Sequence, residues 1–206
     1  MADLAQYKER TLNVFKSKMS GGGARPNQFE IEITFPSGLL EGELNQTADK
    51  IRFFARSTSL PSSTLGVVPV PYRGRILKIA GERTFENWSI QVYNDSDFNI
   101  RRVMERWVNA LNKTEDTSGY TNPSDYFATG TVRQLGRTPG GEGWRPGNTA
   151  NIPILRTYQM QGIWPSFISD IGLDFGANDT VEEFGVTFEV QYWTAFNGPT
   201  GQVDVQ

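Results

Sequence analysis

The chain of 206 residues contains no cysteine and no histidine. Without cysteine there are no disulfide bonds, no thiolate nucleophiles and no cysteine metal sites. Without histidine the chain lacks the commonest metal ligand and the side chain that titrates near neutral pH. These absences exclude Ser-His-Asp and Cys-His catalytic triads and the usual zinc sites, and they leave carboxylate-pair, lysine-based and Mg²⁺-dependent chemistry open.

Long apolar runs and a net positive charge are missing as well. No run approaches the ~20 apolar residues of a membrane-spanning helix, and the N-terminal segment lacks the apolar stretch of a secretory signal. We therefore expect a protein that stays in the cytoplasm where it is made and does not insert into a membrane. The net charge of −3 argues against a general nucleic-acid-binding protein, which needs a positive face.

Alternating apolar and polar residues predict several half-buried β-strands. The segments are QFEIEITF, KIRFFARS, TFENWSIQV, TGTVRQLG and ILRTYQMQGIWP. The clearest alternation runs from Phe184 to Trp193 and places Trp193 on the polar side of its strand. Pro61, Pro69 and Pro71 each lack a backbone donor, so LPSSTLGVVPVPYRGR is expected to be an extended loop or a sheet edge.

Two helical segments complete the pattern. An apolar stripe at helical spacing predicts an amphipathic helix in the body of the protein. The stripe consists of Ile100, Val103, Met104, Trp107 and Leu111. Residues 1–19 are expected to form a helical arm that a Gly-rich joint connects to the body. Together these elements predict a mainly β protein, an antiparallel β-sandwich or barrel with one flanking α-helix and an N-terminal arm.

The segment NDSD before the amphipathic helix could be a metal site or a helix cap. Asp95, Asp97 and Asn99 match the first ligands of a calcium loop, but Ile100 stands where that loop needs glycine and Arg106 where it needs glutamate. Acids at this position also accept hydrogen bonds from the free N–H groups of the first helical turn. We therefore expect a helix cap and no metal site.

Two glutamate pairs, Glu82 with Glu86 and Glu182 with Glu183, could in principle form an acid–base pair. On a strand, Glu182 and Glu183 point to opposite faces, so they cannot act on one substrate unless a bulge intervenes. We expect no catalytic residues, no cofactor and no enzymatic activity.

Four stretches of the chain carry a resemblance to a known family. They are ARPNQFEIEITF (24–35), STSLPSSTLGVVPVPYRGRILKIAGERTFENWSIQVYND (57–95), GIWPSFISDIGLDF (162–175) and VEEFGVTFEVQYW (181–193). In their order they resemble the tail tube proteins of contractile-tailed bacteriophages of the T-even type. The domains that follow from this resemblance are an N-terminal arm with its Gly-rich joint (1–23), a tail-tube β-domain (24–196) with a loop insertion at about 136–151, and a C-terminal tail (197–206).

The resemblance implies a structural subunit that assembles with copies of itself. Six subunits would form a ring with a continuous inner β-barrel, and rings would stack into a tube inside a contractile sheath. DNA would pass through the lumen without specific binding. The implied partners are the tail sheath protein, baseplate and tube-initiation proteins, the tape measure and the tail terminator. The implied location is the virion tail, after assembly in the host cytoplasm.

Two sets of residues are the candidates for these roles. Lumen-lining candidates are the polar-face residues Glu30, Glu32, Glu189 and Gln191, because negative charge repels DNA phosphates. Inter-subunit contact candidates are Tyr72, Arg73, Arg75, Trp144 and Trp193, because arginines can bridge carboxylates and exposed aromatics mark binding surfaces. Two alternatives remain open: the inner tube of a phage-like contractile injection system, and a carbohydrate-binding β-sandwich that uses Trp144 and Trp193.

Overall fold

The computed structural model describes residues 12–19, 23–36, 39, 44–136 and 152–197. The elements in chain order are α1 (Leu12–Lys18), β1 (Phe29–Thr34), α2 (Leu44–Phe54), β2 (Ala55–Thr58), β3 (Ser63–Tyr72), β4 (Arg75–Phe85), β5 (Trp88–Tyr93), α3 (Asn99–Leu111), a 3-10 turn (Pro123–Asp125), β6 (Ala128–Leu135), β7 (Ile154–Ile168), β8 (Glu183–Glu189) and β9 (Tyr192–Asn197). The predicted arm helix is described only over α1, and most of the predicted insertion at 136–151 lies outside the described residues.

Antiparallel strands form a sandwich whose two layers share the long strand β7. Sheet I has the order β1-β6-β7-β9, and sheet II has the order β7-β8-β5-β2. Strand β7 pairs with β9 up to Gln161, with β6 up to Ile163 and with β8 from Trp164 onward. The predicted mainly β fold is confirmed, and the layers form an open sandwich in place of a closed barrel.

Strand β7 changes partners at Gly162, which lies in the left-handed region with φ of 63°. A Cβ at this position would lie 2.6 Å from the Gln191 side chain, so both the backbone angle and the space favour glycine. The strand then runs through Pro165, where the sequence pattern had ended it. A single glycine thus lets one strand serve both sheets.

One hydrophobic core lies between the sheets. The inward-facing side chains of sheet I and of sheet II form this core, and the predicted apolar stripe of α3 packs against it. The largest fully buried side chains are Trp88, Trp107, Phe184, Phe188, Ile31, Ile33, Ile51, Ile90, Ile100, Met104, Met160 and Ile163. Trp107 packs edge-on against Phe35 and donates its ring N–H to the carbonyl of Tyr126.

The segment KIRFFARS was predicted as a strand, and that prediction is wrong over residues 50–54, which belong to α2. Thr47 and Ile51, four residues apart, are both fully buried, as expected for one side of a helix. Phe53, which alternation placed beside Ile51 on the buried face, is exposed. In the described part of the chain, no helix has the length and apolar character needed to cross a membrane.

The prediction that Trp193 lies on the polar side of a continuous strand is also wrong. The pairing with sheet II ends at β8, and β9 begins at Tyr192 in sheet I, so the alternation shifts between them. Tyr192 is exposed, and Trp193 packs against the core.

Candidate functional site

Strands β3 and β4 form a long hairpin, where the sequence predicted an extended loop or edge. Its turn residues Arg73 and Gly74 both have positive φ, 46° and 79°, which is the type I′ geometry of two-residue hairpins. The Arg73 guanidinium lies 5.4 Å from the centre of the Tyr72 ring. Within the described residues, neither β3 nor β4 packs extensively against any other helix or strand.

Both faces of the hairpin are apolar. The first face carries Val68, Val70, Tyr72, Leu77 and Ile79 together with Arg75, and the second carries Val67, Pro69, Pro71, Ile76 and Ala80 together with Lys78. The large apolar side chains of this set are between 38% and 66% exposed. A sheet in a soluble monomer usually keeps one polar face, whereas each face of residues 67–80 carries one charged side chain among exposed apolar ones.

The two edges of the hairpin differ in their hydrogen-bonding capacity. Tyr72 and Arg75 flank the two-residue turn and are the hydrogen-bonded pair, and such pairs recur at every second residue. Pro69 and Pro71 occupy the positions between, where a backbone N–H would point away from β4. The outer edge of β3 therefore lacks donors at both prolines, whereas the outer edge of β4 keeps its donors.

Trp193 fixes the base of the hairpin. Its ring N–H donates to the carbonyl of Ser62 at 3.2 Å, and its ring packs edge-on against Phe85 with centroids 6.4 Å apart. The Glu86 N–H donates to the same Ser62 carbonyl. Trp193, a predicted inter-subunit contact, thus has a clear role inside the subunit, and Trp144 lies outside the described residues.

The outer face of sheet I is largely polar and carries three charged residues, with Tyr192 and Phe196 of β9 at its edge. The register places Thr129, Thr131, Thr157, Gln159, Gln161 and Thr194 on this face together with Glu30, Glu32 and Arg133. Thr129 and Gln161 form a side-chain hydrogen bond of 3.1 Å. Alternation in TGTVRQL and RTYQMQ carries this signal, but the predicted lumen-lining residues were Glu30, Glu32, Glu189 and Gln191.

The two glutamates on this face are paired with arginines. Glu30 pairs with Arg52 of α2 and lies 3.9 Å from Arg133, and its side chain is 15% exposed. Glu32 pairs with Arg133 at 2.6 Å. The face is therefore nearly neutral, in contrast to the bare negative lining that the sequence suggested.

The other two lumen candidates lie elsewhere. Glu189 is on the outer face of sheet II and accepts a hydrogen bond of 2.8 Å from Asn87. Gln191 is exposed between β8 and β9. Because the two sheets enclose one core, their outer faces point away from each other, and one channel can be lined by only one of them. The four candidates are thus not brought together.

A long acidic loop connects β7 to β8. This acidic loop, residues 169–182, contains four acids and no lysine or arginine. The acids are Asp170, Asp174, Asp179 and Glu182. Leu173, Phe175 and Val181 of the same loop are exposed apolar residues. A cleft of about 310 Å³ lies within the loop, and an apolar cleft of about 440 Å³ lies next to it, with Val181 lining both.

Asp95 supplies the predicted hydrogen bond to the first turn of α3, although the N-cap position itself is Phe98, in the left-handed region with φ of 52° and without a side-chain cap hydrogen bond. The Asp95 carboxylate accepts the Asn99 N–H at 2.9 Å and pairs with Lys50 at 2.6 Å. Burial acts to raise the pKa of Asp95, but the Lys50 ammonium and the backbone N–H groups of Asn99 and Ile100 outweigh it and lower the pKa. The hydrogen bond from Lys50 to Asp95 raises the pKa of Lys50. No cluster of metal-binding side chains occurs among the described residues.

Glu182 and Glu183, considered above as an acid–base pair, lie at the start of β8 and make structural contacts. Glu182 accepts a hydrogen bond from Asn94 at 2.9 Å, and Glu183 pairs with Arg56. Glu182 bonds to Asn94, just after β5, and Glu183 bonds to Arg56 in β2, so the two carboxylates do not face one substrate. On α3, Arg101 pairs with Glu105 at 2.7 Å, so that helix does not present an unbroken basic face.

Comparison with known proteins identifies a family match over most of the chain. The family model described as phage tail tube protein matches residues 24–196. The tail tube protein gp19 of Enterobacteria phage T4 is 27% identical over 183 residues, which is 88% of this chain and 97% of that protein. The tail tube protein of Serratia phage KSP90 is 30% identical over 187 residues, 90% of this chain and 96% of that protein.

Solved structures with the same fold come from contractile injection systems. One is a chain of the PVC sheath–tube complex, an extracellular contractile injection system in its extended state. Its TM-score is 0.53 at 11% identity, and the match covers 88% of this chain and 97% of that chain. A chain of the 6-fold symmetrised baseplate of the anti-feeding prophage has a TM-score of 0.52 at 17% identity, covering 85% and 96%.

Proposed function

The chain belongs to the phage tail tube protein family, and on that premise we propose how it builds its tube. Six copies close into a ring, rings stack inside a contractile sheath, and DNA passes through the channel during ejection. The role is structural and passive, and the mature protein resides in the virion tail.

The β3–β4 hairpin is the single observation that carries this proposal. Its apolar residues are exposed on both faces, and a two-stranded hairpin alone is marginally stable in water. Full burial of each such side chain is worth about 1.5–3 kcal/mol. The hairpin therefore gains most when it is held between neighbouring subunits, and association of identical copies through different surfaces gives rings or open-ended stacks.

We assign the channel lining to the outer face of sheet I. Threonine and glutamine side chains dominate this face, and its glutamates are matched by Arg52 and Arg133. A surface without free cations holds no phosphate, so DNA can slide. In the described part of the chain, β1 and β9 are the unpaired edges of this sheet, where it can continue into neighbouring sheets.

The partners of the tube follow from its place in the tail. The fold is shared with chains of a sheath–tube complex and of a baseplate, which supports contacts with a sheath and with a baseplate. A further chain of this fold comes from a sheath/tube terminator complex, with a TM-score of 0.52, which supports a terminator partner. A tape measure protein sets the length of the tube.

Electron microscopy of the purified full chain over a concentration series tests the proposal. We expect six-fold rings or hollow tubes. Particles that stay monomeric at every concentration, and also after addition of tail-initiation components, would contradict it.

The fold likeness to injection systems favours a second candidate, an inner tube for protein cargo. DNA inside the tubes of intact particles supports the phage role, and protein cargo supports the second.

A further inference from the structure

The distal hairpin, residues 67–80, combines exposed apolar side chains with positive charge. It carries Arg73, Arg75 and Lys78 and no acidic residue. Arg75 and Lys78 form no ion pair within the described part of the chain. At about 3.3 Å per residue, its strands extend roughly 30 Å from the base, so the tip can reach well beyond its own subunit.

The acidic loop has the complementary properties. Its four acids include Asp170 and Asp174, which have no cationic partner in the described part of the subunit. Leu173 is 81% exposed, and Phe175 and Val181 are exposed beside it. The neighbouring apolar cleft gives these residues a concave surface to share with an incoming side chain.

We propose that the distal hairpin of one subunit docks on the acidic loop of a neighbouring copy. This inference rests on the proposed tube function and names the surface that receives the hairpin. Arg75 and Lys78 project from opposite faces of β4, so the carboxylates of the loop meet them from the two sides of the β4 edge, and apolar residues beside them cover the cleft at Val181. Opposite charge at an interface selects the partner and fixes its register. The two surfaces differ, so the contact is heterologous and can repeat around a ring or along a stack.

A charge-swap complementation experiment tests this contact. One variant carries Arg75→Glu and Lys78→Glu, and a second carries Asp170→Lys and Asp174→Lys. In each variant alone, like charges meet at every contact, and we expect the sedimentable assembled fraction to fall by roughly tenfold or more. In an equal mixture, every hairpin can meet a loop of opposite charge. We therefore expect the mixture to assemble with the two variants alternating.

The control for the loop variant is Glu115→Lys with Asp125→Lys, which makes the same change of charge at exposed acids outside the acidic loop. It should assemble alone like the wild type. The contact is refuted if either charge variant alone assembles normally, or if folded variants remain unassembled when mixed. Wild-type tubes together with failed complementation would refute this contact and leave the tube function intact.

Disulfide trapping gives a second measurement that does not depend on charge reversal. The chain has no cysteine, so a chain with Arg75→Cys and Leu173→Cys carries only the two thiols under test. Oxidation of its assemblies should give a ladder of covalent multimers, because a disulfide requires the two Cα atoms to lie within about 7 Å. The pair Arg75→Cys and Glu115→Cys serves as the control. No ladder, or equal ladders for both pairs, would overturn the proposal.

Discussion

Asp95 is a residue whose replacement should weaken the fold without altering the β3–β4 hairpin. Its side chain is buried, accepts the Asn99 N–H and pairs with Lys50. Replacement by alanine removes this hydrogen bond and leaves the helix N-terminus unsatisfied, so we expect a loss of about 1–2 kcal/mol in the free energy of unfolding. Urea unfolding of dilute, unassembled protein measures it. Asp97→Ala is the control, because Asp97 is exposed and its pair with Lys50 is long; its change should stay within about 0.5 kcal/mol.

The same pair predicts how this difference depends on pH. The pKa of Asp95 is lowered, so its contribution is present above the unfolded-state pKa and is lost as pH falls through the native one. The pKa of Lys50 is raised above 10.5, so its contribution is present below that value and is lost as pH rises through the native one. The stability gap between wild type and Asp95→Ala should therefore be largest near neutral pH and shrink in strong acid and strong base. A gap that grows in acid would contradict this assignment.

At the residue scale, the sequence predicted those residue roles that depend on residues nearby in the chain. The contact of Asp95 with the first turn of α3 follows from its position four residues before Asn99. Its partner Lys50 is 45 residues away, and the predicted strand at that segment hid the pairing. Gly162 likewise carried no local signal, because the need for positive φ arises only where β7 leaves one sheet for the other. Arg133 was missed because its role depends on cross-strand neighbours.

The hairpin prolines give the prediction at the scale of the element. Pro69→Val with Pro71→Val adds two backbone donors to the outer edge of β3 and raises its β-propensity. An exposed apolar edge with free donors pairs with other edges. We therefore expect irregular aggregates at the expense of ordered tubes.

Sedimentation and negative-stain microscopy of the double variant would check this. Pro61→Val is the matched control, since Pro61 lies outside the strands in the segment before the hairpin, and it should leave tubes unchanged. Ordered tubes from the double variant, in wild-type yield, would mean that the prolines do not protect this edge.

The elements differed in how well local patterns specified them. Helix α3 and strand β1 were predicted because each buries one regular face. The hairpin was not predicted, because YRGR lacks the usual Asn-Gly or Asp-Gly turn signal and its two apolar faces hide the alternation. Helix α2 was taken for a strand, since both spacings place Ile51 in the core. The distinction depends on Thr47 and Phe53, whose burial is a tertiary property.

At the scale of the whole molecule, periodicity alone does not tell which surface lines the channel. Both sheets have polar outer faces: Thr131 and Gln159 are cross-strand neighbours on sheet I, and Ser89 and Thr187 are neighbours on sheet II. The sequence candidates were therefore divided between the two faces. The register shift at Tyr192 added to this, because residues before and after it belong to different sheets.

Thiol accessibility in assembled tubes distinguishes the two faces. Gln159→Cys places the only thiol of the chain on the outer face of sheet I, and Thr187→Cys places it at the matched position on sheet II. If sheet I lines the channel, a small maleimide should label Gln159→Cys in tubes, whereas a bulky polymer-linked maleimide should react much more slowly than with dissociated subunits. Thr187→Cys should show no such size dependence. The reverse pattern would move the channel to sheet II, where Glu189 would then contribute its charge, and the neutral lining proposed for sheet I would be wrong.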